Sequence, residues 1–350
     1  MMMTIRMFEA FAGYGSQALA MEMARIPYKS VGISEIKPEA LTAYRALHGY
    51  VHNYGNISKV NWDRVPDFDL FTYSFPCTDI SRIGDKRGLT EGTGTSSSLL
   101  WECEKAISAK HPTWLLMENV RDLLSAKFRP DFEQWLARLE TMGYNNYYKV
   151  INAKDYIPQN RERIFMVSIL KDYDRGFEFN AHPQRTRYKQ LSDILLPLGP
   201  QTSYLKGKTY SEFMRLARLD DIEPGSSQVF LFGHSRDAKG HVANFHKLDC
   251  AHCCTTGSVG GGNVGMYVYN PIDKSVRKFT AFEQMRLMGL EDKDIQTLYH
   301  SGLSPNQIGD LGGNSIVVDI MSDIFSRLFP SLAGTALERE RKPTILTLFD

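Results

Sequence analysis

The first half of the chain alternates short apolar segments with amphipathic ones, and no other feature of the sequence constrains the fold as strongly. The apolar segments have the length and composition of buried strands, and they lie at residues 5–12, 31–34, 69–74, 113–117 and 164–169. The amphipathic segments have helical spacing of apolar residues, and they lie at residues 17–24, 37–48, 99–109 and 132–142. Strands that alternate with helices of this length predict an α/β fold with a parallel sheet and helical crossovers.

The pattern changes after about residue 175, where prolines and a glycine-rich run at 257–262 interrupt the helical periodicity. Helical spacing returns at 280–288 and 314–329, and a charged segment follows at 334–342. Clusters of proline and glycine mark loops and turns. We therefore expect a larger α/β domain and a smaller, loop-rich domain between about residues 180 and 275.

The charges nearly cancel, because 41 lysines and arginines stand against 40 aspartates and glutamates, for a formal net charge of +1. This balance excludes a purely basic packing protein, but a local basic cleft would suffice for nucleic-acid binding. The five cysteines argue against a disulfide scaffold and for a reducing compartment. No run of about 18 apolar residues is present, so we expect a cytoplasmic protein without a membrane partner.

A glycine loop follows the first predicted strand and opens the first predicted helix. Gly13, Gly15 and Ala18 fit the fingerprint G-x-G-x-x-A, and Glu35 lies about 20 residues beyond Gly15, at the end of the second strand. Glycines let the backbone approach a ligand closely, and a carboxylate at this point can accept ribose hydroxyls. The motif indicates an adenosine-bearing cofactor without choosing between a nicotinamide dinucleotide and S-adenosylmethionine. A tight turn without a ligand is the alternative.

Two chemically reactive side chains follow the third and fourth predicted strands. Cys77 comes after Pro76, just past the third strand, and Glu118 ends the fourth. Ligands bind outside the carboxyl ends of the strands in open α/β sheets, so a thiolate nucleophile and a carboxyl group would meet at one edge. The alternatives are a small buried cysteine and a helix cap formed by Glu118 and Asn119.

Two further motifs carry polar side chains next to predicted elements. Arg161 and Arg163 are separated by one residue before the fifth strand, so on an extended segment they point the same way. Their guanidinium groups would bind a phosphate or a carbonyl oxygen, and a solvated charged edge is the alternative. Nearer the C-terminus, a Gly-Gly turn precedes an apolar helix, for which Asn314 or Ser315 is a suitable cap.

A short cysteine and histidine cluster raises the question of a metal. Cys250 and Cys253 have the spacing of half a zinc site, and His246 and His252 lie near them in the sequence. A structural zinc site needs four well-spaced ligands, and the sequence has no second pair of this kind. We therefore predict no bound metal.

In their order along the chain, these motifs resemble those of the DNA (cytosine-5)-methyltransferase family. The matching pieces lie within about residues 5–170 and 276–325, and they are Phe11-Ala12-Gly13-Tyr14-Gly15, Glu35, Asn56-Ile57, Pro76-Cys77, Glu118-Asn119-Val120, Gln159-Asn160-Arg161-Glu162-Arg163, the segment 277–289, and Gly313-Asn314-Ser315. The resemblance implies a Rossmann-like S-adenosylmethionine-dependent methyltransferase fold with a smaller, loop-rich target-recognition domain. It assigns residues 1–178 and 276–330 to the catalytic and cofactor-binding domain, 179–275 to target recognition and 331–350 to a C-terminal tail.

The resemblance also implies roles for the catalytic residues. Cys77 matches the family nucleophile, whose thiolate adds to C6 of a cytosine that has been flipped out of the duplex. Glu118 matches the residue that hydrogen-bonds N3 and the exocyclic amine of the cytosine. Arg163 matches the residue that contacts O2 of the base, and Arg161 matches a supporting arginine. Methyl transfer to C5 and β-elimination of the cysteine would complete the reaction, with a base that the sequence does not identify.

The cofactor that the resemblance implies is S-adenosylmethionine, which is released as S-adenosylhomocysteine. Glu35 matches the ribose ligand, and Asn56 falls where the family usually carries an aspartate facing the adenine amino group. The remaining cofactor contacts follow from the same motifs, and they are Phe11 and Ile36 against adenine, Gly13 and Gly15 around the methionine part, and Ile57, Pro76, Asn314 and Ser315 elsewhere in the pocket.

The implied substrate is double-stranded DNA, and a polar, glycine-containing loop at 81–98 would close over it. The candidate DNA contacts of the recognition domain are Arg185, Arg187, Lys189, Lys206, Lys208, Arg215, Arg218, Arg236 and Lys239. We expect a monomer that associates with the nucleoid through DNA and is paired functionally, without physical contact, with a restriction endonuclease. An RNA cytosine-5 methyltransferase of the same fold is the alternative, and a nicotinamide-dependent dehydrogenase is a rival from the glycine loop alone.

Overall fold

The computed structural model describes residues 3–76, 99–196, 204–223, 225–236, 242–255 and 265–336. These residues form two units. The first unit takes the described residues within 1–152, 162–182 and 318–345, and the second takes those within 153–161 and 183–317. The chain therefore leaves the first unit twice, once for a short segment and once for a long one.

A six-stranded sheet forms the centre of the first unit. Its strands are β1 (Ile5–Ala10), β2 (Tyr28–Ser34), β3 (Leu70–Tyr73), β4 (Trp114–Val120), β5 (Tyr144–Asn152) and β6 (Glu162–Leu170). The order across the sheet is β2-β1-β3-β4-β6-β5. The pairs among β1 to β4 are parallel, whereas β6 runs antiparallel to both of its neighbours. The carboxyl ends of β1 to β4 and the beginning of β6 consequently lie at the same edge of the sheet.

All five predicted strands form, but the expectation of a parallel sheet is wrong for the last of them. The strand predicted at 164–169 lies in β6, which is antiparallel to β4. The segment 153–161 between β5 and β6 is too short for the crossover of about a dozen residues that a parallel pair requires. β5 is not predicted from the sequence, because its residues YNNYYKVIN lack the continuous apolar run of a strand buried on both faces.

The first four helices also belong to the first unit, and each lies within a few residues of a predicted segment. They are α1 (Ser16–Met23), α2 (Pro38–His48), α3 (Leu100–Lys110) and α4 (Arg129–Thr141). Proline at the first position of α2 and Glu39 in its first turn both favour the beginning of a helix. The buried face of α4 carries Trp135, whose indole N–H donates to the hydroxyl of Tyr73 at 3.2 Å in the core.

The second unit, for which the sequence predicts a loop-rich domain, contains a four-stranded antiparallel sheet. Its strands are β7 (Phe230–Arg236), β8 (Val242–Lys247), β9 (Met266–Tyr269) and β10 (Val276–Lys278), in the order β10-β9-β7-β8. Its helices are α5 (Leu191–Ile194), α6 (Gly207–Leu216), α7 (Ala281–Arg286), α8 (Asp292–His300) and α9 (Pro305–Gly313). Phe213 of α6 packs on Phe232 and Phe245 of the sheet, so this sheet has its own small core.

The chain returns to the first unit with α10 (Val318–Leu328), which packs against α1. We expected this return at residue 276, but residues 276–317 belong to the second unit. The pairing of β10 with β9 attaches this segment there, and so does the N–H of Leu196, which donates to Oε1 of Glu283 at 2.9 Å. The predicted Gly-Gly turn ends α9 rather than opening a helix, and Asn314 is the C-terminal cap residue of α9. No helix in the described ranges is long and apolar enough to cross a membrane.

Candidate active site

The ends of β3 and β4 are joined by side chains at the point where their backbone pairing stops. The last register pair is Tyr73 with Met117, so Ser74 and Glu118 come next on opposite strands. The hydroxyl of Ser74 donates to Oε2 of Glu118 at 2.6 Å and lies 3.1 Å from the carbonyl oxygen of Glu118. These contacts fix the position of a carboxyl group at the carboxyl edge of the sheet.

Asn119 adds a second link between the same two strand ends. Its side-chain Nδ2 donates to the carbonyl oxygen of Phe75 at 3.0 Å, and its Oδ1 accepts from the N–H of Val120 at 2.8 Å. Asn119 is only 3% exposed. The alternative in which Glu118 and Asn119 cap a helix does not apply, because both residues lie in β4. Asn119 therefore holds the backbone that leads to Pro76 and Cys77.

Arg163 reaches the same edge because β6 is antiparallel to β4. Val120 is the register partner of Arg163, and Glu118 lies two residues before Val120, on the same face of the sheet. The Nε atom of Arg163 lies 3.4 Å from Oε1 of Glu118. The two oxygens of Glu118 thus have different neighbours, a hydroxyl donor at Oε2 and a guanidinium group at Oε1.

Cys77 lies outside the described residues, as does the whole predicted closing loop at 81–98. Pro76 is described, is half-buried and follows the Phe75 carbonyl that Asn119 binds. The part of the predicted catalytic site that the structure brings together is therefore Glu118 and Arg163, with Ser74 as a partner that the sequence analysis did not include.

The glycine loop between β1 and α1 has the left-handed backbone that the fingerprint requires. Gly13 and Gly15 have φ values of 57° and 80°. A Cβ at Gly15 would lie 2.5 Å from Nε2 of His48, so only glycine fits there, whereas Gly13 faces open space. Phe11 also has a positive φ, of 56°, which is strained for an aromatic residue and is typical of functional loops.

Glu35 ties the glycine loop to the end of β2. Its Oε2 accepts a hydrogen bond from the N–H of Gly13 at 2.9 Å, and its Oε1 accepts from the N–H groups of Ile36 and Lys37 at 2.7 and 2.9 Å. A carboxylate has about four acceptor positions, so one position on Oε2 remains for a ligand hydroxyl. Ile36 beside it is 66% exposed, which is unusual for an isoleucine. An exposed apolar side chain beside a partly filled carboxylate and an open glycine backbone fits the ribose and adenine of an adenosyl cofactor.

Asn53 holds Glu35 from the neighbouring segment, and no sequence motif pointed to it. Its Oδ1 accepts from the N–H groups of Glu35 and Gly55 at 3.1 and 3.0 Å, and its Nδ2 donates to the carbonyl oxygen of Glu35 at 3.0 Å. Asn56, for which we predicted an adenine contact, uses its Oδ1 to accept from the N–H of Ser58 at 3.0 Å. Ile57, which follows, is buried in the core.

Arg161 lies in the second unit, where it is 3% exposed. Its Nη1 donates to the carbonyl oxygen of Cys254 at 2.8 Å, and its Nη2 donates to those of Gly313 and Ser315 at 3.2 and 2.5 Å. Nη1 also lies 3.3 Å from Sγ of Cys253. Arg161 therefore binds backbone carbonyls of the second unit, including one at the predicted cofactor motif Asn314-Ser315.

Several predicted DNA contacts of the second unit also have partners within it. Arg185 donates to the carbonyl oxygens of Lys154 and Lys189, and Arg187 donates to that of Gly289. The exposed candidates are Lys189, Lys206, Lys208, Arg215 and Arg218. The side chain of Arg236, Lys239 and the glycine-rich run fall outside the described residues. Among the described side chains, no group of three or more His, Cys, Asp or Glu converges to hold a metal ion.

Comparisons with known proteins agree over nearly the full length of the chain. The sequence model of the family described as C-5 cytosine-specific DNA methylase matches residues 5–330. The type II methyltransferase M2.ScrFI of Lactococcus lactis subsp. cremoris is 32% identical, covering 93% of this chain and 99% of that relative. The orphan methyltransferase M.SssI of Spiroplasma monobiae is 27% identical, covering 93% of this chain and 97% of that relative.

Solved structures of methyltransferases have the same fold. The Dnmt2 methyltransferase of S. pombe has a TM-score of 0.65 at 20% identity, covering 94% of this chain and 99% of its own. The Entamoeba histolytica methyltransferase EhMeth has a TM-score of 0.69 at 15% identity, covering 95% of this chain and 99% of its own. The fold is therefore that of S-adenosylmethionine-dependent methyltransferases.

Proposed function

The chain belongs to the C-5 cytosine-specific DNA methylase family, and we propose that Cys77, Glu118 and Arg163 carry out its methyl transfer to C5 of cytosine in DNA. The observation that carries this proposal is the position of Glu118. Its carboxyl group lies at the carboxyl edge of the sheet, beside Arg163 and next to the strand end that continues to Cys77. A nucleotide base at this edge would meet an acid and a guanidinium donor, and we propose that Cys77 supplies the thiol.

The difficulty of the reaction is that C5 of cytosine is a weak nucleophile. When the Cys77 thiolate adds to C6, a bond between sulfur and C6 forms and the electrons of the C5–C6 double bond become available at C5. Glu118 in its acid form gives a proton to N3, which prevents negative charge from accumulating on the ring. Arg163 donates to O2 and holds the base in this orientation.

The residues around the glycine loop would bind S-adenosylmethionine. Glu35 would accept a ribose hydroxyl at its remaining acceptor position, and Ile36 would present its exposed apolar face to adenine. The bound cofactor supplies an electrophilic methyl group and leaves as S-adenosylhomocysteine. The contacts expected from Asn314 and Ser315 stay predictions.

Once C5 carries the methyl group, the chain must release the product. A base removes the proton from C5, the bond between sulfur and C6 breaks, and Cys77 leaves as a thiolate. Glu118 takes back the proton from N3, so both residues are ready for another cycle. The identity of the base that removes the C5 proton is open.

We propose double-stranded DNA as the substrate, from which the target cytosine is flipped into the site. The exposed basic side chains of the second unit would bind phosphates, which provide most of the affinity for DNA. The names of the relatives include both a type II and an orphan methyltransferase. A functional pairing with a restriction endonuclease therefore stays a prediction. The monomeric state also stays a prediction.

Methyl-cytosine sequencing at base resolution tests the proposal. Unmethylated duplex DNA is incubated with the protein and S-adenosylmethionine, with the Cys77→Ser variant as the control and RNA of the same sequence in parallel. We expect methylation of the DNA at one short recurring sequence and none with the variant. Methylation of the RNA alone would assign the RNA alternative, and full activity of the variant would exclude Cys77 as the nucleophile.

A further inference from the structure

We propose that Ser74 is a positioning residue that assigns different roles to the two carboxyl oxygens of Glu118. Its hydroxyl would keep Oε2 as a hydrogen-bond acceptor for the exocyclic amine of cytosine and leave the proton on Oε1 for N3. This inference rests on the proposed function, because it concerns how the same carboxyl group recognises and protonates the base.

The position of Ser74 follows from the pairing of β3 with β4. The parallel register ends at Tyr73 and Met117, so Ser74 and Glu118 are adjacent on neighbouring strands and point to the same face. A serine side chain is just long enough to cross to the carboxyl group, which it reaches at 2.6 Å. Asn119 fixes the next backbone position through Phe75, so Ser74 is held from both sides.

The two oxygens of Glu118 differ in the donors that face them. The Ser74 hydroxyl donates to Oε2 at 2.6 Å, which is slightly shorter than the usual O–H···O distance of about 2.7–2.8 Å. Nε of Arg163 stands 3.4 Å from Oε1, beyond the usual limit of about 3.2 Å for an N–H···O bond. We place the proton of the acid form on Oε1, because a hydroxyl that donates to Oε2 favours Oε2 as the accepting carbonyl oxygen.

Cytosine presents a matching pair of groups on one edge. N3 accepts a hydrogen bond, whereas the neighbouring exocyclic amine donates one. A carboxyl group serves both only if one oxygen carries the proton and the other does not. When sulfur bonds to C6, the proton moves from Oε1 to N3 and Glu118 becomes a carboxylate. The Ser74 hydroxyl then stabilises the charge at Oε2, and the proton returns to Oε1 on elimination.

The test compares Ser74→Ala with wild type on two substrates in the target sequence that methylation sequencing identifies. One DNA carries cytosine at the target position, and the other carries 2-pyrimidinone, which lacks the exocyclic amine. The measured quantity is the single-turnover rate of transfer of a radiolabelled methyl group. On cytosine we expect a loss of about tenfold to a hundredfold, the size of a hydrogen bond to a charged group. On 2-pyrimidinone we expect a loss at least about threefold smaller than on cytosine, because Oε2 has no amine to bind and only the stabilisation of its charge is lost.

Two further variants separate positioning from general damage. Ser74→Thr keeps the hydroxyl and should stay within about threefold of wild type on cytosine. Thr72→Val removes a buried hydroxyl two residues earlier on β3, one that has no hydrogen-bond partner among the described residues, and should not change the rate. KM for DNA should be unchanged in all three variants, because Ser74 acts on the bound base.

Two results would overturn the inference. Ser74→Ala with wild-type rates on cytosine would mean that the hydroxyl is dispensable. Equal losses on both bases would mean that Ser74 supports the strand ends without assigning roles to the oxygens. If the wild-type protein methylates neither DNA, the proposed function itself fails, and this outcome differs from the other two because it needs no variant.

Discussion

Two arginines separated by one residue have different partners and, on this account, different functions. Arg163 faces the carboxyl group of Glu118, whereas Arg161 is buried and donates to three backbone carbonyl groups. Carbonyl oxygens that lose a buried donor are left without hydrogen bonds, which is costly. Arg161 should therefore matter for stability, and Arg163 for activity.

We predict that Arg161→Ala lowers the free energy of unfolding by about 3 kcal/mol or more, since several buried acceptors lose a charged donor. Urea unfolding followed by circular dichroism would measure this. The Arg163→Ala variant should lose methyl-transfer activity, with a much smaller change in its free energy of unfolding. Arg121→Ala, which removes an exposed ion pair with Glu162, is the matched control and should change neither property appreciably. Equal stability of the Arg161 and Arg121 variants would contradict the structural function of Arg161.

A buried carboxyl group behind the glycine loop makes stability depend on pH. Glu9 is fully buried, and its Oε1 accepts from the hydroxyls of Tyr44 and Ser30 at 2.6 and 2.9 Å. Burial raises the pKa of Glu9 above its usual value, although the nearby His48 and these two hydroxyls oppose the shift. Because the folded-state pKa is raised, the stabilisation from protonated Glu9 is complete below the unfolded-state value and is lost as pH rises through the folded-state value.

The corresponding prediction compares wild type with Glu9→Gln, which keeps an acceptor for Tyr44 and Ser30 but does not titrate. The free energy of unfolding of wild type should fall relative to the variant as pH increases from 4.5, the ordinary value for the group. Urea titrations at a series of pH values would measure the difference. A difference that is independent of pH would show that the pKa of Glu9 is the same in the folded and the unfolded protein, which would contradict the raised pKa.

At the scale of single elements, the direction of β6 decides whether the site can form. β6 begins with Glu162 and Arg163, and because it is antiparallel to β4, this beginning lies at the edge where β3 and β4 end. A parallel strand would put Arg163 at the opposite edge, a strand length away from Glu118. The antiparallel pair is therefore part of the catalytic arrangement and not only a variation in topology.

The sequence predicts the strands themselves better than their direction or their side-chain partners. The apolar runs of β1 to β4 and β6 reflect burial, and burial is visible in composition. The direction of β6 depends on the connection that precedes it, which is the short segment after β5. Because β5 has no apolar run, the sequence does not show that a strand lies directly before β6. Ser74 and Asn53 were missed for a related reason. Their importance comes from the residue opposite them in space, Glu118 or Glu35, and no local motif records that neighbour.

The end of β2 leads to a prediction about the cofactor. Glu35→Gln replaces an acceptor oxygen with a donor and removes the charge that the N–H groups of Gly13, Ile36 and Lys37 share. We expect the Kd for S-adenosylhomocysteine to rise by about tenfold or more, as for loss of a charge-assisted hydrogen bond. Isothermal titration calorimetry would measure it. Glu39→Gln, which removes the same charge in the first turn of α2, is the control, and equal affinity of the two variants would contradict a ribose contact.

At the scale of the whole molecule, a net charge of +1 has to be compatible with binding to a polyanion. A nearly neutral protein can bind DNA if its positive charges are concentrated on one surface. The second unit has such exposed basic side chains around α6. They are Lys206, Lys208, Arg215 and Arg218. Composition indicates a change of character after about residue 175, and the long segment of the second unit begins at residue 183. Composition could not indicate that residues 276–317 stay in that unit, because the pairing of β10 with β9 and the contact between Glu283 and Leu196 are packing properties.

The salt dependence of DNA binding tests this local charge. A plot of log K against log salt concentration should have a steep negative slope, and each lost phosphate contact should reduce it by about 0.9. Fluorescence anisotropy with labelled duplex DNA would measure the slopes for Lys208→Gln and Arg215→Gln. Lys105→Gln, from an exposed ion pair with Glu102 in the first unit, should leave the slope unchanged. Wild-type slopes for both α6 variants would exclude this surface from DNA contact.

A covalent trap would show whether Cys77 attacks cytosine while Glu118 and Arg163 hold the base. DNA with 5-fluorocytosine at the target position leaves no C5 proton to remove, so elimination cannot occur and the bond between sulfur and C6 should persist. The measurement is mass spectrometry of the protein digested after incubation with this DNA and S-adenosylmethionine. We predict a stable adduct on the peptide that contains Cys77, formed far more slowly by Glu118→Gln. The absence of an adduct, or an adduct on another cysteine such as Cys253, would contradict the account.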